Sequence, residues 1–146
     1  MEDYSDSRWL KIANHLSKFY NRELEKAATE AGLCLSEGKL ALFLHNNPEV
    51  KQAKEITIIR GFSKGYVSQN VKRLKEKGYI KSEVASDRRN HGLSICADKT
   101  DLIEIFAGRQ RSILAEIFKG VSGDEFRELQ ALLEKLESNI PEDIKK

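Results

Sequence analysis

The chain has 146 residues, of which 40% are hydrophobic and 33% charged, with a net charge of +2 and a mean hydropathy of −0.53. This length fits one domain with a buried core, and no apolar run approaches the roughly 20 residues that a membrane helix needs. The first residues, MEDYSDSRW, are acidic and polar, unlike a secretory signal, so we expect a cytoplasmic protein without membrane contacts.

Three helices are predicted in the N-terminal part of the chain. They occupy residues 8–31, 36–46 and 50–60. The first has apolar side chains mostly at three- and four-residue steps, and Gly32 ends it. Ser36 is the expected N-cap of the second helix, and Pro48 breaks it because the residue before a proline is pushed out of the helical region.

A fourth helix and a β-hairpin are predicted from the middle of the chain. In sequence order they are a helix over Ser63–Lys77, a strand over Tyr79–Ala85, a polar tip over Ser86–His91 and a strand over Gly92–Cys96. Ser63 caps the helix and Gly78 closes it, while β-favouring side chains mark the strands. Helices followed by such a hairpin are the order of a winged helix-turn-helix.

Two long amphipathic helices are predicted in the remainder, over residues 99–119 and 123–138. Their apolar stripes, together with the stripe of the first helix, exceed what a small winged lobe can cover. A second copy of the chain, related by two-fold symmetry, would cover them.

Positive charge is concentrated in residues 60–91, which hold nine basic and three acidic side chains and so a net charge of +6. The flanking segments are near neutral or acidic, with net charges of −1 over residues 1–32 and −3 over residues 97–146. A local basic patch of this kind favours a polyanionic partner. On charge alone, a solvated surface helix is an equally good interpretation.

The fourth helix has an apolar face and a polar face. Val67, Val71 and Leu74 recur at helical spacing and are expected to face the core. The other face mixes cations with small and amide side chains, which suits a DNA major groove because these groups bind phosphates and base edges. The candidate DNA-binding residues of this segment are Ser63, Lys64, Gly65, Ser68, Gln69, Lys72 and Arg73.

The hairpin tip contains Arg88 and Arg89 beside Asp87. Arginines on an extended loop can enter a narrow minor groove, where the negative potential is enhanced. We interpret Asp87 as an orienting carboxylate that pairs with Arg89 or with Arg73. An ordinary polar turn is the alternative interpretation of the tip.

The segment from Gly61 to the hairpin resembles the winged helix-turn-helix of the MarR family of transcriptional regulators. The matching pieces are Gly61, Ser63-Lys64-Gly65-Tyr66-Val67-Ser68, Val71, Arg73-Leu74, Lys77-Gly78-Tyr79-Ile80 and Asp87-Arg88-Arg89. The flanking helices also fit the family, and the resemblance covers nearly the whole chain. The Asp-Arg-Arg sequence of the tip is its most specific element.

The resemblance implies a mainly α fold with a small β-wing, in one domain over residues 1–146. Within it, residues 36–98 would form the DNA-binding lobe, and residues 1–32 and 99–146 the helical dimerisation region. The implied function is a homodimeric regulator, usually a repressor, that binds a palindromic site on double-stranded DNA. Family members often release DNA on binding a small aromatic ligand. Candidate lining residues are Trp9, Phe19, Tyr20, Phe43 and Phe62, although we favour simple core roles for them.

Other functions receive less support from the sequence. The two cysteines and three histidines have no metal-ligand spacing, so we expect neither a metal nor a cofactor. We interpret both cysteines as reduced thiols near the core, with oxidation of Cys34 as the alternative. No arrangement of nucleophile and base indicates an enzyme. The main rival is a winged helix that binds another protein and has no DNA target.

Overall fold

The computed structural model describes residues 1–49, 52–60, 62–84 and 91–145, with only the backbone described at residues 58–60, 84 and 91. In this part of the chain the fold is mainly helical with one two-stranded antiparallel sheet, as predicted. The helices are α1 (Arg8–Glu30), α2 (Leu35–Asn46), α3 (Ala53–Arg60), α4 (Lys64–Glu76), α5 (Thr100–Ile117) and α6 (Gly123–Ser138). The strands are β1 (Ile80–Val84) and β2 (His91–Ile95), and a short 3₁₀ turn, Ala97–Lys99, precedes α5.

Helices α1 and α4 end just before glycines, as the sequence predicted. Gly32 follows α1 with a φ of 75°, and Gly78 follows α4 with a φ of 77°. A side chain with a Cβ rarely adopts this left-handed conformation, so the chain turns at these positions. Tyr79 follows Gly78, and β1 begins at Ile80, one residue later than predicted.

The start of α2 differs from the prediction. Cys34 is the N-cap residue, and Ser36 lies inside the first turn of the helix. Glu37 explains the shift, because its carboxylate Oε1 accepts a hydrogen bond of 3.0 Å from the Cys34 backbone N–H. That bond satisfies an amide at the helix start, as in a capping box. The Ser36 hydroxyl is instead directed to another helix.

The hairpin pairs in antiparallel register from Ile80 opposite Ile95 to Val84 opposite His91. His91, which the sequence placed in the tip, is therefore the first residue of β2. Residues 85–90, with most of the predicted tip, lie outside the described part of the chain. The same is true of residues 50 and 51, where the third helix was expected to begin.

The core lies where α1, α2 and α5 meet. Leu24, Ala28, Leu40 and Phe106 are all buried, with at most 2% of each residue exposed. Gly38 allows the closest approach, because a Cβ added there would lie 2.8 Å from Cζ of Phe106. A real Cβ cannot come so near to a ring carbon, so a glycine at this position lets α2 pack against α5.

The two ends of the chain keep apolar faces that the described residues do not cover. Residues 119–144 are all exposed, although Ser122 and Glu125 form a capping box that starts α6. The uncovered apolar side chains of α1 and α6 include Trp9, Leu10, Ile12, Leu16, Phe126, Leu129, Leu132, Leu133 and Leu136. Within the described chain, no helix has both the length and the apolar character needed to cross a membrane.

Candidate nucleic-acid interface

Helix α4 is anchored to the core by one face. Val67 and Leu74 are 1% and 0% exposed, and Val71 packs against the core while partly buried. This agrees with the predicted inward stripe. Helix α4 packs against both α2 and α3, so α3 and α4 form the helix pair of a helix-turn-helix.

The start of α4 has the cap that the sequence predicted. The Ser63 hydroxyl oxygen accepts a hydrogen bond of 3.1 Å from the backbone N–H of Tyr66. Ser63, Lys64 and Gly65 are all exposed, so the first turn of the helix is open to solvent. The positive end of the helix dipole therefore faces outward, where an anion such as a phosphate is favoured.

The other face of α4 presents the predicted candidates together. All seven are exposed: Ser63, Lys64, Gly65, Ser68, Gln69, Lys72 and Arg73. They lie on one continuous surface because they recur at helical steps. The inner residues are fixed by packing, so the backbone that presents this surface is held in place.

Neither the packing nor the backbone conformation of the chain requires a glycine at position 65. A Cβ added there would find no atom within 4 Å, and the residue has no positive φ. Glycine in a helix costs roughly 0.5–1 kcal/mol relative to alanine. The position is consistent with close approach of an external partner to the first turn of α4.

A groove runs between α3 and α4 on the same side of the lobe. Its volume is about 880 Å³, and its lining combines the side chains of Ala53, Val67 and Val71 with four lysines. The lysines at this groove are Lys54, Lys64, Lys72 and Lys75. Sequence patterning missed Lys54, because nothing in the sequence shows that the third helix turns this residue toward the fourth.

The wing is described only in its strands. Asp87, Arg88 and Arg89 fall outside the described residues, so their candidate roles and the proposed pairing of Asp87 with Arg89 or Arg73 stay predictions. On the described part, Ser94 donates a hydrogen bond of 3.0 Å to Glu83 across the two strands. Lys81 on β1 is exposed.

One polar residue on the inner face of α4 was not predicted. Asn70 is 2% exposed, and its Oδ1 accepts a hydrogen bond of 2.9 Å from the Ser36 hydroxyl. Its Nδ2 donates to the Tyr66 carbonyl at 2.9 Å, so both ends of the amide are paired. The inward spacing of position 70, between Val67 and Leu74, was the available signal that this asparagine is buried.

Metal and thiol chemistry receive no support from the described residues. Among them, no group of three or more His, Cys, Asp or Glu side chains could hold a metal ion. Cys34 is exposed and Cys96 is partly buried, so the expectation that both lie near the core fails for Cys34. Its place as the N-cap of α2 accounts for this exposure.

The fold and the exposed helix define a winged helix-turn-helix protein. Residues 32–90 match the model of the MarR family. The match falls on the winged lobe, in agreement with the resemblance seen in the sequence.

Several solved structures share the fold across most of the chain. The S. aureus MepR–DNA complex superposes with a TM-score of 0.77 at 14% identity, covering 97% of this chain and 100% of that one. The transcription regulator MarR from Oenococcus oeni PSU-1 gives a TM-score of 0.76 at 17% identity, covering 91% and 98%. A MarR-family regulator from Silicibacter pomeroyi gives 0.72 at 21% identity, covering 89% and 88%.

Proposed function

We propose that this protein is a sequence-specific regulator of transcription that binds double-stranded DNA as a homodimer, most simply as a repressor. The observation that supports this most strongly is α4, which is fixed to the core by one face and presents cations and Gln69 on the other. A helix of this kind can enter the major groove, where Gln69 would contact a base edge and Lys72 a phosphate or guanine. The solved MepR–DNA complex, which has this fold, is consistent with such a role.

The wing would add a second contact with the duplex. Arg88 and Arg89 come between the two strands in the sequence, and basic side chains there would contact the phosphates or the minor groove. Asp87 would orient one arginine. In this proposal residues 36–98 act as the DNA-binding lobe, and the protein acts in the cytoplasm with the DNA that it regulates.

The dimer would form through residues 1–32 and 99–146. The apolar stripe of α6 and the first half of α1 are exposed in the single chain, as are Leu102 and Ile105 on α5. Monomeric proteins rarely leave such extended apolar faces to solvent. Two-fold pairing would bury them and place two copies of α4 about one DNA turn, roughly 34 Å, apart.

A small aromatic ligand is a further proposed partner. A cavity of about 210 Å³ lies between α1, α2 and α5, and Tyr20 and Phe43 line it together with Gln110. Among the sequence candidates, Trp9, Phe19 and Phe62 do not line it, and Trp9 is 58% exposed. The cavity is below the roughly 300 Å³ at which most ligand sites begin, so a single-ring compound is the largest that we propose.

Tyr20 offers a way to test the ligand. Its hydroxyl accepts a hydrogen bond of 2.9 Å from Gln110 Nε2, whereas Tyr4 is 83% exposed and serves as the matched control. Single-ring phenolic acids should raise the melting temperature of the wild type and of Tyr4→Phe. The shift should be smaller for Tyr20→Phe. No shift in any variant would remove the ligand from the proposal.

Selection of bound duplexes from a random pool tests the main proposal. The full chain should enrich an inverted repeat whose half-site centres lie about 10–10.5 base pairs apart, or a multiple of that spacing. Affinity for that sequence should fall steeply as salt rises, because phosphate contacts release counterions. A winged helix that binds only proteins would enrich no sequence. That result would favour the rival function.

A further inference from the structure

The charged pair of Glu37 and Lys77 lies behind the proposed DNA-binding surface. Glu37 is 2% exposed, and its Oε1 accepts a hydrogen bond of 2.8 Å from Lys77 Nζ as well as the one from Cys34 N–H. Among the described residues, Oε2 of this carboxylate has no hydrogen-bond partner. A buried carboxylate needs a paired cation, so Glu37 depends on Lys77.

Glu37 stays ionised at neutral pH. Burial raises the pKa of its carboxyl group, but the hydrogen bonds from Cys34 and Lys77 together lower it further, so the net pKa lies below the usual value. The pair is therefore a charged contact under ordinary conditions. It joins the first turn of α2 to Lys77, the residue that caps the C-terminus of α4.

The turn between α1 and α2 makes two more contacts with the same end of α4. Lys77 Nζ also donates a hydrogen bond of 3.0 Å to the Gly32 carbonyl. Tyr79, two residues further on, is 5% exposed and donates its hydroxyl proton to the Ala31 carbonyl. Burial raises the pKa of the Tyr79 hydroxyl, which keeps it a donor.

A second set of contacts ties the middle of α4 to α2. Ser36 donates to Asn70 at 2.9 Å, and the Tyr66 hydroxyl donates to the Ser36 carbonyl at 3.3 Å. Residues 31–37 thus contact α4 at its middle and at its C-terminal end. Two separated attachment points, together with the buried face at Val67 and Leu74, restrict both the rotation of α4 about its axis and its tilt.

We propose that the turn of residues 31–37 sets the orientation of α4 on DNA, and that Glu37 and Lys77 are positioning residues for DNA recognition. This inference rests on the proposed function and deepens it. Lys77 belongs to the basic segment of the sequence and its side chain is 41% exposed, yet its ammonium group is hydrogen-bonded to Glu37 and to the Gly32 carbonyl. It then contributes to affinity through the position of α4 and not through a phosphate contact.

Salt dependence separates a positioning lysine from a phosphate-binding lysine. We compare Lys77→Met with Lys72→Met, using the duplex selected by the wild type and a temperature at which circular dichroism shows each variant folded. Lys72→Met should lower affinity and reduce the slope of log K against log salt by about one. Lys77→Met should lower affinity by about tenfold or more, within the range of conformational coupling, with the slope unchanged.

Coupling between the two residues gives the second readout. Glu37→Gln alone should weaken binding by a similar factor, and the double variant Glu37→Gln with Lys77→Met should lose no more than the worse single variant. Lys77→Arg, which keeps the ion pair, should restore most of the affinity. If Lys77→Met does not fold, Glu37→Gln and Lys77→Arg still decide the question.

Each outcome is decisive. Folded Lys77→Met and Glu37→Gln proteins that bind like the wild type would overturn the positioning role and leave the proposed function intact. A reduced salt slope for Lys77→Met would make Lys77 a phosphate contact and would also overturn it. A wild type that binds no duplex would end both the proposed function and this inference.

Discussion

Helices α4 and α6 have the same kind of sequence pattern but opposite surroundings. Each has an apolar stripe on one side and a charged face on the other. The chain covers the stripe of α4 with its own core and leaves the polar face outside, whereas it leaves the stripe of α6 exposed. A stripe that the same chain buries fixes a helix for recognition, while an uncovered stripe indicates a surface for association.

The largest expected effect follows from breaking the surface of α6. Leu132→Glu with Leu133→Glu places two charges in the uncovered stripe, and the lost burial costs roughly 1.5–3 kcal/mol per leucine. We expect sedimentation to show a monomer at micromolar concentration and DNA binding to be lost. Ala131→Glu adds a charge on the opposite face of α6 and should leave the dimer intact. A dimer of unchanged strength in the double variant would contradict the proposed interface.

The polar face of α4 and the wing should give the next largest effect. Lys72→Ala and Arg89→Ala should each weaken binding to the selected duplex by about tenfold at moderate salt, because each removes one charge-assisted contact. Titration by electrophoretic mobility shift measures this loss. Lys119→Ala, an exposed lysine in the turn after α5, is the control and should bind as the wild type does. Equal affinity for all three variants would argue against this face.

Substitutions of the neighbouring residues Gln69 and Asn70 of α4 should have different effects, one on DNA recognition and the other on the stability of the fold. Asn70→Ala should lower the free energy of unfolding by about 1–3 kcal/mol, because it removes the buried amide that pairs with the partly buried Ser36 hydroxyl and the Tyr66 carbonyl. Gln69→Ala, one residue earlier on the exposed face, should change stability by less than about 0.5 kcal/mol and should instead relax sequence preference. Urea unfolding and duplex selection measure the two properties. Reversed results would mean that the two faces of α4 are assigned wrongly.

The smallest expected effect concerns the glycines. Gly65→Ala should raise the free energy of unfolding by about 0.5–1 kcal/mol, since open space receives the methyl group, and should weaken DNA binding if a partner approaches closely there. Gly38→Ala should instead destabilise the protein by about 1–3 kcal/mol, because its methyl group would meet the Phe106 ring. Thermal unfolding compares the two. A gain in stability with unchanged DNA affinity would show that Gly65 has no role in close approach.

The spacing of apolar residues and the positions of glycines were sufficient to predict most elements of this fold. The spacing of Val67, Val71 and Leu74 gave the inward face of α4, and Gly32 and Gly78 gave two helix ends. The sequence could not show that Glu37 would accept a hydrogen bond from the Cys34 amide, so that α2 begins after Cys34 and not after Ser36. Capping depends on which side chain reaches a free amide, and the Ser36 hydroxyl instead donates its hydrogen bond to Asn70.

The candidate site was predictable as a surface but not as a set of individual roles. All seven candidates on the fourth helix lie on its exposed side, because helical spacing alone decides which face a residue occupies. Lys77 was not among the candidates, but the sequence alone could not show which group its ammonium would bind. The structure pairs Lys77 with Glu37, which lies forty residues away along the chain.

The capping box at Ser122 and Glu125 has a consequence for assembly. Both bonds are local, at 3.1 and 3.0 Å, so the first turn of α6 needs no other element to form. An isolated helix of 16 residues is still only marginally stable in water, and a good cap biases it toward the helical state. Two subunits that meet with this segment already wound lose less chain entropy on docking than two that must wind it together.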